Sequence, residues 1–155
     1  MRAKTKAIFI GLFFGDGYLT KAFGKSTKSM LDIKYDEKSL KYLQWIHGEL
    51  KELLPSEIKR KKDYHQYRFY TKTRADIGEL QKIFYPNGVK HIPKDVAKYL
   101  KNPLTLAVWY QDDGKLDFRS KYHCNSLFAT YCFSYDECEL LANALRVNFD
   151  LDIRV

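Results

Sequence analysis

The 155-residue chain has no apolar run close to the roughly 20 residues that a bilayer-spanning helix needs. Its greasiest stretch, AIFIGLFFG at 7–15, is too short to cross, and no small-residue cleavage site follows it, which argues against a signal peptide. No membrane partner is expected. Cysteine is scarce: Cys124, Cys132 and Cys138 are odd in number and lack CxxC spacing. That argues against a disulfide framework and a structural zinc site. Buried free thiols in a reducing, intracellular setting (an organelle or a prokaryotic cytoplasm) are the expectation. Acidic residues are also in deficit. Against 27 Lys and Arg stand 19 Asp and Glu, a net charge of +8, and the sequence pI is about 9.3. Such an excess attracts polyanions, nucleic acid first.

What is present is ordinary globular material, 45% apolar and 30% charged, enough for one compact domain or two small halves sharing a core. Residues 5–15 read as a helix stopped by Asp16-Gly17. Strands follow at 18–23 and 30–35, joined by the turn GKSTKS at 24–29. In the second strand Leu31, Ile33 and Tyr35 alternate with Asp32 and Lys34, the pattern of a half-buried strand. Leu40, Leu43, Ile46, Leu50, Leu53 and Leu54 recur at helical spacing up to Pro55. Residues 57–72 read as a hairpin turning near 63–66. Thr73 with Asp76 predicts a capping box for a helix reaching Phe84. A loop at 85–88 and a short helix at 91–100 precede the break at Asn102-Pro103.

The order then restarts. A helix at 104–112 runs into Asp113-Gly114, with strands near 115–119 and 126–133. A capping box at Ser134 and Glu137 opens a helix bearing Cys138, Leu141, Ala142, Leu145 and Phe149, and a last strand is expected at 152–155. Ser39 lies 23 residues after Asp16, and Ser134 lies 21 after Asp113, so the two halves match in spacing as well as order.

FIGLFFGDG (9–17) and LAVWYQDDG (106–114) resemble two degenerate copies of the LAGLIDADG motif. The chain is similar to single-chain, two-repeat LAGLIDADG homing endonucleases over nearly its whole length. The resemblance implies an α+β fold of two pseudo-symmetric αββαβ-like halves, 1–102 and 103–155. They would join at paired motif helices, with a basic antiparallel sheet forming a saddle for DNA. Gly11 sits at the motif's own glycine, and Val108 takes its place in the second copy. Glycine inside a helix costs about 1 kcal/mol relative to alanine, so close helix packing would give it a reason.

The motif's last acidic position falls on Asp16 and Asp113. The resemblance implies that both bind a divalent cation, Mg²⁺ or Mn²⁺, with the carbonyls of Gly15 and Asp112 as further ligands. It also implies a catalytic role for Lys90, in VKHIP at 89–93, polarising water or offsetting phosphoryl charge. Hard cations held by carboxylates suit phosphodiester cleavage on independent chemical grounds, whereas a lone Asp-Gly is more readily a helix stop. His91 reads as a surface or phosphate-contacting residue.

KRKK at 59–62 and YRFYTK at 67–72 carry the densest charge. Arg68, Tyr70 and Lys72 share one strand face, and Tyr67, Phe69 and Thr71 share the other. Lys59, Arg60, Lys61, Lys62, Gln66, Arg68, Tyr70 and Lys72 are therefore candidate DNA contacts, joined by Lys21, Lys34, Lys115 and Arg119. Repeat one extends 74 residues beyond Asp16 to Lys90, but only 42 residues follow Asp113, so the chain is expected to be a fragment, to have lost its tail, or to carry an abbreviated second half. The expected function is metal-dependent, site-specific cleavage of double-stranded DNA by an intron- or intein-encoded monomer. The alternative is a non-catalytic nucleic-acid binder of the same fold, such as a maturase gripping intron RNA.

Overall fold

In the computed structural model, which describes residues 1–20, 26–62, 64–121 and 123–155, two apolar helices lie side by side. These are α1 (Ala3–Phe14) and α4 (Pro103–Asp113). Every α1 residue from Ala7 to Phe14 is buried, as expected for a helix that is apolar all round. The contact depends on Gly11. A Cβ there would lie 2.6 Å from the Thr105 carbonyl oxygen and 2.7 Å from Val108 Cβ. Thr105 Oγ1 also donates to the Ala7 carbonyl at 3.0 Å in this buried contact. Glycine on one helix therefore receives valine from the other. α4 starts where sequence signals place it: the Asn102 side chain accepts from the Leu104 N–H, and Pro103 occupies the first turn.

Behind α1 stands an antiparallel sheet in the order β1 (Tyr18–Leu19), β2 (Leu31–Asp36), β4 (Gln66–Tyr70), β3 (Lys59–Arg60). Leu31, Ile33 and Phe69 face inward and are fully buried. They share the core with Leu43 and Ile46 of α2 (Leu40–Glu49) and with Leu50 and Leu53 of the turn that follows. Helix α3 (Ala75–Phe84) closes this half, and Phe84 meets Phe13 edge-on at 4.5 Å.

The second half pairs β5 (Gly114–Ser120) with β6 (His123–Phe128) and adds α5 (Tyr135–Phe149). The predicted capping box on Ser134 and Glu137 is formed. Leu141, Ala144 and Leu145 join the same core as Phe9 and Phe13, so one apolar interior serves both repeats. The element order α1-β1-β2-α2 is echoed by α4-β5-β6-α5.

Several expectations are corrected. Residues 152–155 form no strand. This tail is held instead by Arg146, whose Nη2 and Nε donate to the Ile153 carbonyl at 2.6 and 3.1 Å. β6 begins at His123 and ends at Phe128, earlier than 126–133, because the hairpin turns immediately after Ser120. Residues 91–100 contain only a short 3₁₀ turn, Val96–Lys98. Pro93 disfavours helix at the residue before it and removes a donor. The Thr73–Asp76 capping box is absent, and Asp76 is instead gripped by Arg74 through two 2.9 Å bonds. The cysteines are not buried: Cys124 and Cys132 are exposed and Cys138 is half-buried. The β5–β6 hairpin packs Phe128 against Trp109 of α4 but leaves Leu116, Phe118 and Leu127 exposed.

Candidate active site

Both motif helices end at one place. Gly15 caps α1, and the chain turns there to present Asp16; α4 ends on Asp112 and Asp113. Gly15 leaves the space that Asp112 fills, since a Cβ on Gly15 would lie 2.4 Å from Asp112 Oδ2. That same oxygen accepts the Asp16 backbone N–H at 3.2 Å. Asp112 Oδ1 accepts the Tyr35 hydroxyl at 2.6 Å, and the Tyr42 hydroxyl reaches the Val108 carbonyl at 3.5 Å. Asp113 Oδ2 accepts Trp109 Nε1–H at 3.1 Å, one helical turn back.

Lys90 enters this carboxylate cluster from the linker between the halves. Its Nζ donates to the carbonyls of Phe14 and Gly15, at 3.0 Å each, and lies 5.1 Å from the centre of the Phe13 ring. The linker is held by Glu137. Its Oε1 accepts the Ile92 N–H at 2.8 Å and faces His91 Nδ1 at 3.0 Å, while its Oε2 accepts the Ser134 N–H and Oγ–H at 2.9 Å each. His91 is thus engaged by a carboxylate through Nδ1, with its side chain 43% exposed.

The electrostatics follow from crowding charge into a poorly solvated seam. Desolvation pushes the Asp16 carboxyl up, with Lys90 pulling it back. Desolvation raises Asp113 too, opposed by the Trp109 bond and helped by the Asp16 charge. Asp112 is raised to about 7, first by burial and also by the charges of Asp16 and Asp113, against the lowering effect of its Tyr35 and Asp16 bonds. Burial depresses Lys90, although the three aspartates favour its ammonium form. Raised carboxyls beside a half-buried lysine in one seam mark a candidate functional site.

The donors suit a hard divalent cation. They are carboxylate oxygens, all raised first by burial, and a positive ion would also relieve the repulsion that adds to the rise of Asp112 and Asp113. Among the described residues no three His, Cys, Asp or Glu side chains form a closed metal cage. Mg²⁺ sites in general take one or two carboxylates and leave the remaining positions to water and phosphate. The Gly15 carbonyl, expected as a ligand, accepts a bond from Lys90 Nζ. The Asp112 carboxylate is committed to Tyr35 and the Asp16 amide; the ligand expected from this residue is its carbonyl.

The outer sheet face carries Lys34, Lys59, Gln66, Arg68 and Tyr70 in the predicted alternation, with Lys72 exposed just beyond β4. Arg60 is a correction. It pairs with Tyr67 and so lies on the opposite face from Arg68, with Nη2 3.4 Å from His65 Nδ1. Lys61 and Lys62 sit exposed in the turn after β3. Lys115 is exposed on β5, and Arg119 is paired with Asp117 at 3.0 Å beside a bulge. Lys21 lies outside the described residues. Sequence reasoning missed Tyr35, Tyr42, Trp109 and Glu137. Only Trp109, four residues before Asp113 on one helix, left a readable signal.

The family profile described as the LAGLIDADG DNA endonuclease family matches residues 6–155. The chain belongs to this family. This LAGLIDADG protein is 28% identical to cytochrome b mRNA maturase bI2 of Saccharomyces cerevisiae, over 94% of its own length and 36% of that protein. It is likewise 28% identical to probable intron-encoded endonuclease 1 of Wickerhamomyces canadensis, over 94% of its length and 66% of that relative. The chain therefore spans about a third of one relative and two thirds of the other. Its fold is that of the homing endonuclease I-WcaI bound to its DNA recognition sequence, with a TM-score of 0.75 at 24% identity, covering 95% of this chain and 68% of that one.

Proposed function

We propose that this LAGLIDADG chain carries the catalytic core of a site-specific, divalent-metal-dependent endonuclease that hydrolyses double-stranded DNA and is encoded in an intron or intein. The observation that carries the reading is the convergence of Asp16, Asp113 and Lys90 at the shared end of α1 and α4. One carboxylate from each motif suits a substrate with two strands. Asp16 and Asp113 would hold Mg²⁺ or Mn²⁺, with the Asp112 carbonyl at the same helix end. Bound there, the cation supplies water activation, phosphate neutralisation and support for the leaving oxygen. Lys90, in its ammonium form, adds a positive charge beside the phosphate. Tyr35 and Asp112 fix the end of α4 against that of α1, and Glu137 fixes the linker that delivers Lys90. The outer face of the sheet grips the duplex as a monomer, with affinity that weakens as salt rises.

Incubating the protein with a pool of randomised duplexes and Mg²⁺ tests this. Cleavage at a recurrent sequence is expected, and its absence across a broad pool counts against catalysis. The yeast relative named as a maturase, matched over 94% of this chain, favours a second reading, in which the same face grips structured intron RNA. Tight RNA binding with no nicking of any duplex would support it.

A further inference from the structure

Across the outer face of the sheet runs a row of three cations on three strands. Arg68 of β4 has Lys34 of β2 on one side and Lys59 of β3 on the other, each its direct partner in register. The middle member differs from its neighbours because a carboxylate holds it. Asp32, diagonal to it on β2, accepts Arg68 Nε at Oδ1 and Nη2 at Oδ2, both at 2.6 Å. The Asp32 side chain is only 9% exposed, whereas that of Arg68 is 46% exposed.

A guanidinium offers two flat edges for paired hydrogen bonds, a side edge (Nε and Nη2) and an end edge (Nη1 and Nη2). Asp32 occupies the side edge. Among the described residues Nη1 has no hydrogen-bond partner, so the end edge stays open on an exposed group. The ion pair itself does little for stability at such exposure, but it fixes where two parallel N–H groups sit.

We propose that Arg68 and Asp32 form a preset reader of one guanine in the DNA major groove, with Arg68 contacting the base and Asp32 as its positioning residue. This rests on the reading of the sheet as a DNA-binding face. Guanine presents two acceptors there, O6 and N7, matching two parallel donors, whereas adenine sets an amino donor against one of them. The neighbouring Asp32 charge offsets that of Arg68 and disfavours a phosphate at this position. The flanking Lys34 and Lys59 remain suited to the backbone. A-form RNA keeps the same guanine atoms in a groove too deep and narrow for side chains to read.

The test is selection of duplexes by binding, without divalent cation, using the full chain and its Arg68→Ala, Arg68→Lys and Asp32→Asn variants. The wild type should require G·C at one position. Arg68→Ala should lose that preference by about ten- to a hundred-fold at that position alone. Arg68→Lys, which keeps the charge and leaves Asp32 in place, should lose it with an unchanged salt slope, and this variant decides the matter should Asp32→Asn fail to fold. A folded Asp32→Asn should relax the same position while binding unselected duplex at least as tightly as the wild type. A retained G·C preference in the Arg68 variants overturns the proposal. So does a uniform loss of affinity in Arg68→Ala with a salt slope shallower by about one, the mark of a phosphate contact. A wild type that selects no sequence at all would overturn the DNA-recognition reading as well, and that result is distinct from either of the others.

Discussion

The Tyr35 hydroxyl donates to Asp112 Oδ1 at 2.6 Å across 77 positions of sequence, joining the first sheet to the end of the second motif helix. Asp112 has a carboxyl raised to about 7 mainly by burial. A raised aspartate favours folding while protonated, and that contribution fades as pH climbs from about 4 through 7. Asp112→Asn should therefore flatten the fall in Tm over that range. Tyr35→Phe removes a bond that lowers the Asp112 pKa, so it should push the same transition to higher pH. Thermal melts across a pH series check both, and an Asp112→Asn slope equal to wild type would contradict this account.

Asp16→Asn and Asp113→Asn should each abolish double-strand cleavage while largely sparing DNA affinity. Both carboxyls are raised by desolvation, so each substitution should also leave Tm at neutral pH unchanged or higher. Activity lost together with unimpaired stability is the signature of a site kept for function. A plasmid nicking assay beside a melt separates that result from simple misfolding, and normal cleavage by either variant would refute the assignment.

Glu137 is held down to about 2 by its bonds to the Ser134 and Ile92 amides, the Ser134 hydroxyl and His91. Its stabilising contribution is present above its unfolded pKa near 4.5 and disappears as pH falls toward 2. Glu137→Ala removes the capping box and the linker clamp together, and should cost about 1–2 kcal/mol. It should slow cleavage more than it weakens binding, because Lys90 loses its placement. Single-turnover rates and a DNA titration on the same preparation test that split.

Gly11→Ala improves helix propensity by about 1 kcal/mol, yet its Cβ would meet the Thr105 carbonyl at 2.6 Å. A net loss of roughly 1–3 kcal/mol is expected. Val108→Ala should restore only part of it, since the backbone oxygen cannot be trimmed. A double-mutant cycle in denaturant measures the remainder.

Much of this was legible in the sequence. Two apolar stretches ending in Asp-Gly located α1, α4 and their carboxylates, period-2 alternation set the faces of β2 and β4, and Ser134 with Glu137 opened α5. The failures share a cause, which is contact at long range. Nothing near Glu137 hints that it reaches Ile92, and nothing near Tyr35 points to Asp112. The tail at 152–155 has strand-like residues, but Arg146 captures its backbone first. Asp76 likewise spends its carboxylate on Arg74 and the Ile77 N–H, and α3 is preceded by Arg74 instead of Thr73.

The fit of Gly11 to Val108 and of Gly15 to Asp112 has a consequence for how such a chain can assemble. Two copies of α1 facing each other would set hollow against hollow. Two copies of α4 would drive valine into valine and one anion into another. At these two contacts the lobes are a lock and its own key, with the hollow on α1 and the filling side chain on α4.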